Sequence, residues 1–221
     1  MLNKVRNLFF QSFPYTPTKD QSVLIEKLSE FILSAEQNKL FLVKGYAGTG
    51  KTTIVSILVK ILPQLNLETA LLAPTGRAAK VISEKTGRRA STIHRMIYSY
   101  ANLMSYSDEY GDDLSGYKFY FALRKNTELT DAIIIVDEAS MISGSYNDNG
   151  YIRFGSGKLL NDLIKFIDPY GFNNKIIFIG DNAQLPPVRT NISAALSVNY
   201  LRENFGITDV TVTELKEVFR Q

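Results

Sequence analysis

The chain has 221 residues, 45% of them hydrophobic and 21% charged, with a formal net charge of +3. That length accommodates one α/β domain with a full core and some excursions, but not a second domain of equal size. The absence of cysteine excludes disulfides, a thiolate nucleophile and a cysteine-based zinc site, which fits a cytoplasmic protein; a net +3 does not by itself identify a nucleic-acid binder.

Met1–Phe13 carries two basic residues and the short apolar patch Leu8-Phe9-Phe10. Lacking a proper apolar core and a cleavage site, it reads as a surface helix rather than a signal peptide. No later apolar run approaches the roughly 18 residues that cross a bilayer. Thr18–Leu33 repeats apolar residues at Val23, Leu24, Leu28, Phe31 and Ile32, a helical spacing. Leu40–Lys44, Thr69–Ala73, Ile133–Val136, Ile176–Ile179 and Val210–Thr213 are continuous apolar runs, the pattern of parallel strands covered on both faces. Helical patterns over Lys51–Leu62, Pro74–Lys85 and Lys158–Ile167 lie between them, the last stopped by Asp168-Pro169. Strands alternating with helices predict an open α/β parallel sheet with helices on both faces, its ligand beyond the carboxyl ends of the strands. Two stretches break the alternation. Ala101–Glu128 is rich in Tyr, Ser, Asp and Gly, and Ser143–Gly157 is a polar, glycine-rich loop.

The densest chemistry follows the first strand. Gly45-Tyr46-Ala47-Gly48-Thr49-Gly50-Lys51-Thr52 matches the phosphate-binding pattern G-x-x-x-x-G-K-[ST], followed by Thr53. Its glycines let successive backbone N–H groups turn toward a phosphate at a helix N-terminus. Lys51 would reach the β- and γ-phosphates, and the Thr52 hydroxyl would ligate Mg²⁺. Ile133-Ile134-Ile135-Val136-Asp137-Glu138 is an apolar strand ending in two carboxylates. Asp137 is placed to hold Mg²⁺ and Glu138 to act as general base toward water. Alone, such an acidic pair is more often a helix cap; beside a P-loop the catalytic reading is favoured, and it points to hydrolysis rather than transfer to a small acceptor.

Arg77, Lys80, Lys85, Arg88, Arg89 and Arg95 cluster against the single acid Glu84. Such a strip suits nucleic-acid phosphates, and it also describes an ordinary solvated helix face.

Further segments extend the pattern: Leu72-Ala73-Pro74-Thr75-Gly76-Arg77-Ala78-Ala79, Ser91-Thr92-Ile93-His94-Arg95, Asp137-Glu138-Ala139-Ser140-Met141, and Gly180-Asp181-Asn182-Ala183-Gln184-Leu185-Pro186-Pro187-Val188. The chain closes with Glu214-Leu215-Lys216-Glu217-Val218-Phe219-Arg220-Gln221. In this order they resemble the motif set of superfamily 1 DNA helicases of the RecD/Dda type, from about Phe13 to the last residue.

That resemblance implies a RecA-like P-loop motor domain that uses ATP and Mg²⁺ and tracks single-stranded DNA, with 5′→3′ movement. It assigns Gln21 to adenine recognition, although Thr18-x-x-Gln21 is equally a capping box. It makes Gln184 a γ-phosphate-region residue coupling hydrolysis to DNA, and Arg220 an arginine finger. Thr75 and His94 would lie along the DNA strand, joined by the basic Arg77 and Arg95; a structural role for His94 is the alternative. Ala101–Glu128 would be a small 1B-type insertion between the second and third motif strands. Of the aromatics in and just before it, Tyr98, Tyr100, Tyr106, Tyr110, Tyr117, Phe119, Tyr120 and Phe121, most are expected to pack rather than stack on bases. The second RecA-like domain of such helicases has no counterpart in the sequence, so the chain is expected to be one monomeric motor domain, weakly active alone and unable to unwind. A P-loop kinase or other NTPase that does not act on nucleic acid is the competing reading, and a nucleotide-dependent binding module a third.

Overall fold

The structure is a computed structural model that describes residues 1–34, 39–106, 118–147, 152–181, 183 and 193–218, with the side chains of 101–106 and 118 left aside. Its elements in chain order are α1 (Leu2–Ser12), α2 (Lys19–Leu33), β1 (Leu40–Gly45), α3 (Lys51–Ile61), β2 (Thr69–Ala73), α4 (Gly76–Thr86), β3 (Ser91–Thr92) and α5 (Ile93–Ile97). They continue with β4 (Tyr98–Tyr106), β5 (Lys118–Leu123), β6 (Ile133–Val136), β7 (Ile152–Phe154), α6 (Leu159–Ile167), β8 (Lys175–Gly180), α7 (Val198–Phe205) and β9 (Val210–Leu215).

Six strands form one parallel sheet in the order β3-β2-β6-β8-β1-β9. The apolar runs of β1, β6 and β8 are buried on both faces, as continuous hydrophobicity requires, whereas β9 at the sheet edge is half-buried over Val210–Val212. Alternation along β1 divides the core into two layers. Leu40 and Leu42 face α5, α6 and α7, whereas Phe41 and Val43 face α1, α2, α3 and α4. This is the RecA-like arrangement expected of the sequence, with helices on both faces.

Local chemistry sets the helix boundaries. Thr18 caps α2 through its hydroxyl, Thr75 caps α4 and Thr92 caps α5. The Thr75 cap moves the start of α4 from Pro74 to Gly76, because the capping residue itself is extended. Helix α1 is more than a surface helix: Val5 and Phe9 are fully buried against the second layer. The Nζ of Lys175, at the start of β8, donates to the carbonyls of Phe31, Ile32 and Ser34 and so satisfies the end of α2.

The two stretches that broke the alternation meet. Strands β4 and β5 pair antiparallel, and β7, from the glycine-rich loop, adds parallel to β5. The excursion begins at Tyr98, three residues before the expected boundary, because Tyr98 leaves α5 directly into β4. A ladder of rings holds the small sheet to the main core: Phe121 stacks on Phe154 at 4.8 Å, and Tyr98 lies 5.2 Å from Phe154. Tyr98 and Phe121 therefore pack, Tyr100 lies 5.1 Å from Phe121 although its outer face is exposed, and Phe119 remains exposed. Tyr110 and Tyr117 lie outside the described residues.

Candidate nucleotide site

Because every strand of the main sheet runs the same way, Gly45, Ala73, Val136, Gly180 and Leu215 all end at one edge. The chain reverses sheet direction at β1, whose neighbours β8 and β9 come from much later in the sequence. A crevice at that switch point is where open α/β sheets bind ligands.

The loop between β1 and α3 is shaped by two left-handed glycines, Gly48 at φ 82° and Gly50 at φ 91°. Gly50 is doubly required: a Cβ there would sit 2.5 Å from Gln21 Nε2. Thr49 is buried, and its hydroxyl donates to the Tyr46 carbonyl at 2.9 Å, closing the loop on itself. The first bond of α3 runs from Ile54 N–H to the Gly50 carbonyl. The N–H groups of Lys51, Thr52 and Thr53 are thereby left at the helix mouth, where the helix dipole favours an anion. No side chain caps that mouth.

Lys51 curls over the loop, donating to the carbonyls of Gly45 at 2.6 Å and Tyr46 at 2.8 Å. Burial lowers its pKa from 10.5, and the charges of Asp181, Glu138 and Asp137 oppose that shift. Three carboxylates that follow two different strands thus lie within electrostatic reach of one ammonium. Asp137 and Glu138 follow β6, which is separated from β1 by β8; Asp181 follows β8 itself. Asp137 N–H still bonds the Leu72 carbonyl, so the sheet holds its backbone. Gly180 permits the close approach, since a Cβ there would lie 2.9 Å from Ser140 N.

Asp137 is pushed up to about 6, first by burial and then by the Glu138 charge, against a hydrogen bond from the Glu138 backbone and the charge of Lys51. Glu138 adopts a left-handed backbone, φ 53° and ψ 37°, at the start of a 3₁₀ turn over Ala139–Met141. That conformation costs a non-glycine residue about 1–2 kcal/mol, so surrounding structure holds it there. Its Oε2 is buried without a hydrogen-bond partner. Crowded carboxylates, an orphaned oxygen and an open glycine cradle fit a polyphosphate with a divalent cation, whose charge relieves such a pair.

Asp181 is nearly fully buried, and its Oδ1 accepts from Ala183 N–H at 2.8 Å. Sequence reasoning placed it in a motif without giving it a role; an acid directly after a buried strand, at the same edge as Asp137, was the available signal. With Lys44, Gly45, Tyr46, Ala183 and Glu214 it encloses a pocket of about 130 Å³.

Gln21 is buried and fully engaged by the protein. Its Oε1 accepts from Thr18 N–H at 3.0 Å, and its own N–H bonds the Thr18 hydroxyl. Both halves of the capping box are therefore present. Its Nε2 donates to the Thr49 carbonyl at 3.1 Å, which puts the side chain against the phosphate loop.

Thr75 and His94 lie past the ends of β2 and β3, on the same edge as the phosphate loop. The Thr75 hydroxyl accepts from Ala78 N–H at 3.1 Å. Arg77 and Arg95 are exposed. His94 packs edge-on against Phe154 at 5.0 Å, and burial holds its pKa below 6.5. Gln184 and Arg220 lie outside the described residues.

Fold and site together define a RecA-like P-loop domain that binds nucleotide. The sequence profile of the AAA domain family matches residues 21–221. The chain belongs to that family, as a superfamily 1 motor domain of the RecD/Dda type. It is 29% identical over 175 residues to the ATP-dependent RecD2 DNA helicase of Deinococcus radiodurans, covering 78% of this chain and 19% of that protein. It is 31% identical over 180 residues to the ATP-dependent DNA helicase dda of Enterobacteria phage T4, covering 80% of this chain and 34% of the relative. The chain thus spans between a fifth and a third of the length of these relatives. The crystal structure of Pif1 helicase from Candida albicans shares the fold, with a TM-score of 0.53 at 19% identity over 94% of this chain and 41% of that one. Among the described residues no helix is long and apolar enough to cross a membrane.

Proposed function

We propose that this chain is the ATP-binding motor domain of an ATP-dependent DNA helicase. Joined to a second RecA-like domain, it couples hydrolysis of ATP to translocation on single-stranded DNA, in a soluble cytoplasmic setting. The observation that carries the reading is the convergence of Asp137, Glu138 and Asp181 on Lys51 at one sheet edge. Lys51 neutralises the β- and γ-phosphates, Thr52 and Asp137 hold Mg²⁺, and Glu138 takes a proton from the attacking water. Bound Mg²⁺ would supply charge neutralisation on the terminal phosphates.

Gln184 senses the γ-phosphate and Arg220 is the arginine finger; both roles rest on the resemblance. Thr75, Arg77, His94 and Arg95 form the track side, supported by the shared position of Thr75 and His94 past β2 and β3 and the exposure of both arginines. On this reading the small sheet of β4, β5 and β7 is the 1B-type element, supported by its place in the chain between β3 and β8. Buried in an aromatic contact, His94 would shape this surface more than it supplies charge.

The test is the ATPase rate of the intact protein carrying this chain, with and without single-stranded DNA. Stimulation by DNA, abolished by Lys51→Ala and by Glu138→Gln, supports the reading. An ATPase indifferent to DNA sinks it.

A further inference from the structure

Strand β9 is the edge of the main sheet, and its ladder with β1 ends at Leu215, opposite Gly45. Helix α2 packs beside it, and Lys27 Nζ donates to the Val212 carbonyl at 3.4 Å. Past Leu215 the next two backbone N–H groups, those of Lys216 and Glu217, both donate to one carboxylate oxygen. That oxygen is Asp20 Oδ2, at 2.8 and 3.1 Å. Bonds to an ionised oxygen are about twice as strong as neutral ones, so one side chain at the start of α2 sets the path of this segment.

The path runs along the phosphate loop. A Cβ on Gly45 would stand 3.0 Å from Leu215 Cβ, and one on Gly48 would stand 3.2 Å from Val218 Cγ1. Leu215 and Val218 therefore close on the two ends of the stretch 45–48, and Asp20 grips the two residues between them. The same stretch engages Lys51, whose ammonium donates to the Gly45 and Tyr46 carbonyls. A polyphosphate that draws Lys51 off those carbonyls changes what holds the loop, and contacts this close transmit such a change to the segment packed on it.

Resting on the phosphate-site reading above, we propose that Asp20 is a positioning residue for triphosphate binding. By clamping Lys216 and Glu217 it holds residues 215–218 as a strap on the phosphate loop, so that filling the loop and fixing the path of the chain leaving β9 are one coupled event. Such coupling is reciprocal: the strap preorganises the loop for the triphosphate, and the triphosphate tightens the strap.

Hydrogen exchange of the Lys216 and Glu217 amides in the 221-residue chain, with and without ATP and Mg²⁺, measures the coupling directly. Saturating nucleotide is expected to slow both amides at least about fivefold, the lower end of ordinary coupling. Calorimetric titration reads the reciprocal effect, and Asp20→Ala is expected to weaken ATP about fivefold. Asp20→Asn, which keeps an acceptor oxygen without the charge, is expected to hold ATP within about twofold of the parent chain. Amides indifferent to bound ATP overturn the proposal, as does ATP binding unchanged by Asp20→Ala. Asp20→Asn as weak as Asp20→Ala also overturns it, because the charge would then act on the end of α2 and not through the clamp. Lys51→Ala separates the two levels. If it binds ATP as the parent does, the phosphate site is misplaced and the strap falls with it; if it abolishes binding while the parent's amides ignore the nucleotide, only the strap is wrong.

Discussion

Gln21 and Thr49 are joined by a 3.1 Å hydrogen bond from the glutamine amide to the threonine carbonyl, so the residue that starts α2 also braces the phosphate loop. Its neighbour Asp20 accepts from the backbone N–H groups of Lys216 and Glu217, at 2.8 and 3.1 Å, just past β9. Two consecutive residues therefore tie the loop and the segment leaving β9 to one helix end. Val218 completes the contact, with a methyl 3.2 Å from the Cβ position of Gly48.

Gln21→Ala removes the capping-box acceptor and orphans the Thr49 carbonyl. A loss of about 1–3 kcal/mol in folding stability is expected, because a buried acceptor loses its donor. Urea unfolding of the variant checks this. A change smaller than about 0.5 kcal/mol, the size of an ordinary surface substitution, would show that the bond braces nothing.

Glu138→Gln separates chemistry from architecture. The carboxylate is crowded by Asp137 and has an unpartnered buried oxygen, so removing its charge relieves that repulsion and offsets the lost attraction to Lys51. The variant should be at least as stable as the parent chain while hydrolysis falls about 10²–10⁴-fold, the size of a general-base contribution. Thermal unfolding beside a phosphate-release assay reads both. A stability loss above about 1 kcal/mol would make Glu138 a structural residue.

Tyr98 and Asp162 make a buried 2.7 Å hydrogen bond between the root of the small sheet and α6. Burial first, then the bond to Asp162, raises the phenol pKa well above 10. The unfolded chain ionises near pH 10 while the folded chain stays protonated, so the unfolded state binds fewer protons and stability falls as pH rises. This contribution is complete below pH 10 and is lost above it, by up to about 1.4 kcal/mol per pH unit. Tyr98→Phe should lower stability at neutral pH and flatten that alkaline slope. Identical slopes between pH 10 and 11, followed by fluorescence or circular dichroism, would rule the group out as the source.

Much of the molecule was legible along the chain because its signals are local. Leu40–Val43 and Ile176–Ile179 are buried on both faces and therefore continuously apolar, which marks parallel strands without any partner in view. The phosphate loop is likewise a matter of consecutive backbone conformations, which glycine spacing encodes directly. Strand β7 carried no such signal: Ile152–Phe154 is three residues at an exposed edge, and it becomes a strand only because β5 offers it hydrogen bonds. Helix α5 is too short for a periodicity to show, and its existence depends on the Thr92 cap.

The site divides along the same line. Lys51, Thr52, Asp137 and Glu138 could be identified from sequence, since the first two open the helix after β1 and the last two follow the end of β6, positions the motifs themselves define. That Asp181 joins them and that Gln21 supports the loop from below are matters of strand order and of contacts across 28 to 130 residues of chain. Sequence alone determined the phosphate-binding elements, because their geometry is built from neighbouring residues. Tertiary structure decided what surrounds them, because the insertion of β8 between β1 and β6 brings distant carboxylates to one edge, and no local pattern records which strands will be neighbours.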